Sequence, residues 1–122
     1  MIEAFIKAKL NNFKLVIVGT SNSKIYNKNN LDNHKLKMYN IEYLSIINDS
    51  QLNKLYQNAS LFVCLSHYEG FGLPILEAMY FNCPTIISNI PIFKEIYKDG
   101  AFYVDQNNTV EISDLFKQVI LK

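Results

Sequence analysis

The sequence is notable first for what it has little of. No apolar run in the 122 residues approaches the roughly 20 needed to span a membrane, and the first residues do not form a signal peptide. Neither charge sign dominates: 12 basic and 11 acidic residues leave a net charge of +1, which offers no electrostatic footprint for nucleic acid. There are only two cysteines, Cys64 and Cys83, each in or beside an apolar run. Cysteines so placed read as reduced core residues of a cytosolic protein, not as a redox pair or a metal site. There is no internal repeat, and the glycine spacing does not match the G-x-G-x-x-G dinucleotide fingerprint. The Asn-rich stretch 27–33 reads as polar surface.

What is present is enough for one domain. A chain of this length that is 49% hydrophobic can bury one core, not two. The pattern alternates. Met1 to Leu10 reads as an amphipathic helix with Ile2, Phe5, Ile6 and Leu10 inward, and Leu15–Val18 as a strand. A polar helix within 30–38 precedes a short strand at Ile41–Leu44. The helix from about Ser50 to Asn58 turns Leu52, Leu55, Tyr56 and Ala59 inward, and a strand follows at Leu61–Leu65. A helix over 74–81 ends at Asn82, where a left-handed residue is expected. A strand at Thr85–Ile87, a helix at Pro91–Tyr97 and a strand at Ala101–Val104 come next, with Ser88 and Asn89 expected to cap that helix. The last helix starts near Thr109, with Asn108 and Glu111 spaced like a capping box and Ile112, Leu115, Phe116 and Val119 inward. Strict alternation of this kind implies an α/β fold: a doubly wound, Rossmann-like parallel sheet with helices on both faces.

The chemistry concentrates in one stretch, Ser66-His67-Tyr68-Glu69-Gly70-Phe71-Gly72-Leu73-Pro74-Ile75-Leu76-Glu77-Ala78. It runs from a strand, through a glycine turn, into a helix that carries proline in its first turn. Such a helix start presents unpaired N–H groups and the positive end of the helix dipole, and glycine lets a ligand approach the backbone. The amides of Phe71, Gly72 and Leu73 are therefore candidate phosphate donors. Glu77 lies about one turn into the helix, within reach of ribose hydroxyls, and Glu69 lies before the turn, where it can accept from a sugar. Either carboxylate alone also fits a plainer role, Glu77 as a favourable acidic residue in a first turn and Glu69 as a solvated loop residue. The two together, around Gly-Phe-Gly-Leu-Pro, favour a ligand site.

This stretch resembles the Glu-x7-Glu signature of the family 4 retaining glycosyltransferases (glycosyltransferase group 1), which have the GT-B fold. The resemblance extends over nearly the whole chain: Ile2-Glu3-Ala4-Phe5 and Lys14 to Gly19, the D-x-x-L-x-x-L-Y-x-x-A pattern beginning at Asp49, Pro84 to Asn89, Glu95, and Asp99-Gly100-Ala101. It implies that Glu69 contacts the transferred sugar and is the catalytic residue. It also implies that Glu77 binds the ribose, and that Gly70, Phe71, Gly72 and Leu73 complete the donor site. The implied partners are a nucleotide diphosphate sugar and a glycan or lipid-linked acceptor, with no nucleic acid, cofactor or metal. No Asp-x-Asp motif occurs, which disfavours a metal-dependent GT-A transferase. The implied location is cytoplasmic, with peripheral association of the full-length protein at the inner face of a membrane left open.

The resemblance also implies more than residues 1–122 hold. In the family an N-terminal acceptor domain comes first. The opening strand of the donor domain follows, and then a loop whose Arg and Lys neutralise the pyrophosphate; Lys7 and Lys9 on the first helix do not replace that pair. The chain is thus expected to be a single partial domain, the donor-binding half, inactive alone. Because the opening strand is central to the sheet, either Leu15–Val18 pairs directly with Leu61–Leu65 or the chain is marginally stable. The alternative function is a remnant that binds a nucleotide or phospho-ligand without chemistry. His67 reads as a loop residue near the pocket more readily than as an acid/base. Ser45 stands where the family places a glycine in a base-contacting loop, and Gly19-Thr20-Ser21 is a lesser candidate for the pocket wall.

Overall fold

The computed structural model describes residues 1–18, 33–44, 47–65 and 73–121. The elements are α1 (Ile2–Ala8), β1 (Leu15–Val18), α2 (Asn33–Met38), β2 (Ile41–Leu44), α3 (Asp49–Asn58), β3 (Phe62–Cys64), α4 (Leu73–Tyr80), β4 (Thr85–Ser88), α5 (Pro91–Tyr97), a 3-10 turn (Lys98–Gly100), β5 (Phe102–Val104) and α6 (Thr109–Ile120). The α/β alternation and the parallel pairing agree with the sequence pattern. The sheet, however, is in two pieces.

β1 pairs only with β2, Leu15 opposite Ile41 through Val18 opposite Leu44. The second piece has the order β3-β4-β5, with Val63 opposite Ile86 and Ile87 opposite Tyr103. Leu15–Val18 therefore does not pair with Leu61–Leu65, contrary to one of the two outcomes expected. A cavity of about 700 Å³ separates the two strands and is lined by both, by Phe5, Phe116 and Ile120 from α1 and α6, and by Leu52, Leu55 and Tyr56 from α3. Direct pairing would have to displace those side chains into each other's volume.

The main core joins both sheets: α1 (Ile2, Ala4, Phe5, Ala8) and α6 (Ile112, Phe116) cover Ile41, Ile86 and Val104 on one face. The opposite face of β4 packs Ile87 against Ile75, Phe93 and Tyr97. This alternation of Ile86 and Ile87 to opposite faces is the period-2 geometry of a strand. A smaller cluster of Tyr56, Ala78 and Cys83 joins α3 to α4.

The helix ends follow local chemistry. Asn48 caps α3 in a full capping box, its Oδ1 accepting from Gln51 N (2.8 Å) while Gln51 Oε1 accepts from Asn48 N (2.9 Å). The Asn48 spacing was readable, but the helix begins a residue earlier than its apolar pattern suggests. Asn108 Oδ1 accepts from Glu111 N at the start of α6, which is half of the capping box expected there. Asn82 is left-handed (φ 59°) just after α4, also as expected. Ser88 and Asn89 do not cap α5: Ile90 is its N-cap, without a side-chain bond, and Pro91 fills the first position. The strand ladder takes them instead, with Asn89 N donating to Val104 O (2.8 Å) and Ser88 buried in β4. Ala59 is exposed rather than inward, because α3 meets the cavity there. Among the described residues no helix is long and apolar enough to cross a membrane.

Candidate functional site

β3 ends at Cys64 and α4 begins at Leu73, so the strand, connection and helix order read from the sequence holds. Of the candidate site residues, Glu69, Gly70, Phe71 and Gly72 lie outside the described residues, as do His67, Ser45 and Gly19-Thr20-Ser21. Leu73 opens α4, and Glu77 lies one turn further in. Ile75 and Ala78 of the same helix are fully buried, which fixes the rotation of α4 against the sheet. That rotation leaves Glu77 half-buried on the cavity wall, with Pro74 from the same helix and Val63 and Cys64 from β3. Val16 and Val18 of β1 form the facing wall.

The wall is mainly apolar, with a few polar groups (Lys14, Lys54, Asn58, Ser60 and Glu77) among its lining. Lys14 is engaged by Glu42 across the β1-β2 pair at 3.3 Å. Pairs this exposed are worth little to stability.

Tyr56, behind Glu77, is 6% exposed. Burial pushes its phenol up to about 12, and the charge of Glu77 adds to the effect. The hydroxyl is therefore protonated across the physiological range. The position of Tyr56 in the D-x-x-L-x-x-L-Y-x-x-A pattern was readable as core; its electrostatic link to Glu77 is tertiary and left no local signal. Cys83 is buried and free, and burial raises its thiol pKa. Its Sγ makes only long contacts to the Ala59 and Pro84 carbonyls (3.8 and 3.6 Å). A thiol in that state is a packing group rather than a nucleophile. Among the described residues no three His, Cys, Asp or Glu side chains group to hold a metal ion.

Comparison with known proteins bears on this arrangement. The family model described as "Glycosyl transferases group 1" matches residues 1–122. The O-antigen chain mannosyltransferase B of Escherichia coli is 44% identical over 73 residues, 60% of this chain and 19% of that protein. The GDP-mannose:cellobiosyl-diphosphopolyprenol alpha-mannosyltransferase of Komagataeibacter xylinus is 45% identical over 53 residues, 43% of this chain and 14% of that protein. Among solved structures, the C-terminal domain of a glycosyl transferase group 1 family protein (LpcC) from Francisella tularensis superposes with a TM-score of 0.77 at 27% identity, covering 99% of this chain and 69% of that one. The matched region thus spans about a fifth or less of the curated relatives' length.

Proposed function

The chain belongs to the group 1 glycosyl transferases, and from that premise we propose that it is the donor-binding half of a retaining, family 4 enzyme that moves a sugar from a nucleotide diphosphate sugar to a glycan or lipid-linked acceptor. The observation that carries this reading is Glu77: a half-buried carboxylate one turn into the helix that follows β3. Ligands of open α/β sheets bind at the carboxyl ends of the strands, which is where this connection leaves β3. In this reading Glu77 accepts from the ribose hydroxyls and Glu69 from the transferred sugar. The Phe71, Gly72 and Leu73 amides hold the phosphates at the helix start. A relative whose name specifies GDP-mannose makes guanosine the first base to try. The acceptor belongs to a further domain, and the protein works in the cytoplasm, at the inner membrane face when its acceptor is lipid-linked.

The same reading makes the chain a partial domain, and the slot between β1 and β3 supports it. A strand residue fills about 160 Å³, from a rise near 3.3 Å, a strand spacing near 4.8 Å and a layer about 10 Å thick. A slot of about 700 Å³ therefore seats about four strand residues, matching the four of β1. Its apolar walls on both faces suit a strand buried on both sides.

Calorimetric titration with GDP and GDP-mannose tests the proposal. Glu77→Ala removes a charged acceptor, and loss of about tenfold or more in affinity is expected, since bonds to charged groups are worth roughly 1.5–3 kcal/mol. Unchanged affinity would remove Glu77 from the site.

A further inference from the structure

The slot between β1 and β3 is bounded as a strand would be. Helices close it on both faces: Leu61 and Val63 of β3 pack toward the core built on α1 and α6, whereas Phe62 packs against Tyr56 of α3. The other two boundaries are strand edges, and two backbone hydrogen bonds fix which way those edges point. Leu15 N donates to Asn40 O (3.1 Å), so Leu15 and Ile17 face β2, and Val16 turns its N–H and C=O to the opposite edge. Phe62 N donates to Pro84 O (2.9 Å), so Phe62 and Cys64 face β4, and Val63 turns away from it. β1 pairs only with β2, and β3 is an end strand that pairs only with β4. The outward peptide groups of Val16 and Val63 therefore have no strand partner among the described residues. Open edges of this kind are templates for a further strand. Charge narrows what fits. The lining carries two ammonium groups, Lys14 and Lys54, against one carboxylate, Glu77. Glu42 pairs with Lys14, whereas Lys54 makes no ion pair among the described residues.

We propose that the slot is a strand-docking site: it takes up an extended apolar segment of about four residues from a second polypeptide, with a carboxylate toward Lys54, and joins β2-β1 to β3-β4-β5 in one sheet. Main-chain bonds to Val16 and Val63 supply affinity, and the apolar walls select side chains on both faces of the segment. This rests on reading the slot as a strand position. It adds that covalent connection is not needed, because the two edges and two helix faces are already in place to receive a strand that arrives separately.

Residue-resolved amide exchange tests it, with the blocked peptide acetyl-Asp-Val-Ile-Val-Val-amide as the probe. In the chain alone, the Val16 and Val63 amides should exchange at least about tenfold faster than those of Ile17 and Cys64, which face β2 and β4. At about 1 mM peptide, exchange at Val16 and Val63 should slow about tenfold, with Ile17 and Cys64 little changed. Amides of Val16 and Val63 that are already slow, or that the peptide does not slow, would overturn the proposal. A version N-methylated at its second and fourth residues lacks the N–H groups toward one edge and should give no slowing. Equal slowing by that version would mean apolar insertion without pairing, and would overturn it too. Lys54→Glu should shift preference about threefold from this peptide toward one with lysine in place of its aspartate; an unchanged preference would overturn the placement of the carboxylate. If the peptide fails while Glu77→Ala still weakens GDP, the docking site falls and the donor reading stands. Peptide protection together with unchanged GDP affinity in Glu77→Ala would have the reverse meaning.

Discussion

β1 and β4 are both four-residue strands, and their compositions would assign them the wrong places. β1 is Leu-Val-Ile-Val, wholly apolar, yet its residues are half-buried or, at Val18, 44% exposed. β4 is Thr-Ile-Ile-Ser, half polar, and every residue is buried. Thr85 Oγ1 and Ser88 Oγ find no hydrogen-bond partner among the described residues, a cost that β4 nonetheless sustains. The difference is in the neighbours. β4 has strands on both edges and helices on both faces, whereas β1 has β2 on one edge and the slot on the other. Burial follows position in the sheet and not composition.

Equal truncations on the two strands offer the largest test of this contrast. Ile87→Ala empties a site with 0% exposure, flanked by Ile75 and Phe93, and is expected to cost about 3–5 kcal/mol. Against a typical stability of about 5–15 kcal/mol, that would bring the chain close to unfolding. Ile17→Ala, on a half-buried strand beside the slot, should cost about 1–2 kcal/mol, since part of its surface is never removed from the open cavity. Urea unfolding midpoints measure both. Equal costs would mean that the slot is closed in solution. A longer polypeptide that adds a strand at the slot should raise the Ile17→Ala cost toward that of Ile87→Ala.

The same contrast marks how far the sequence could be read. Local rules worked where local chemistry decides. The inward faces of α1 and α6, the left-handed Asn82 and the Asn108 cap all follow from spacing within one or two turns. They failed where a residue had competing partners: Ser88 looked like a cap and became ladder, and Ala59 looked inward and faces the cavity. The division of the sheet was not legible at all, because strand order is set by contacts far apart in sequence. For the candidate site, the Glu-x7-Glu spacing singled out Glu77, but only the packing of α3 on α4 brings Tyr56 onto the same cavity wall.

Tyr56 gives the next largest effect, through pH. Its phenol titrates at about 12 in the folded chain and near 10 when unfolded. Between those values the unfolded chain releases a proton that the folded one keeps, so stability falls as pH rises. The contribution is complete below pH 10 and is lost through about pH 12, amounting to roughly 2–3 kcal/mol. The other tyrosines and the lysines also titrate there, so the variant is the control. Tyr56→Phe should flatten the alkaline fall in denaturant midpoint between pH 9 and 11. An unchanged slope would mean that the phenol is solvated and that the slot admits water behind Glu77.

The smallest effect separates the two helices that border the two regions. Asn48 caps α3 with two reciprocal bonds, whereas Asn108 caps α6 with one side-chain bond, accepted from Glu111 N. Counted by bonds alone, Asn48→Ala should be the costlier change. α3, however, buries only Tyr56 fully and otherwise faces the slot, whereas α6 buries Ile112, Ser113 and Phe116 in the main core. A helix held by packing tolerates the loss of a cap by keeping its turn in place, whereas one held mainly by its cap frays. Both substitutions should cost about 1 kcal/mol globally, but with different local signatures. Amide hydrogen exchange in the first turn of α3, Ser50 to Asn53, should accelerate more in Asn48→Ala than exchange at Ile112 and Ser113 does in Asn108→Ala. Equal acceleration would show that α3 is as firmly packed as α6, and the slot would then have to be narrower in solution than its walls suggest.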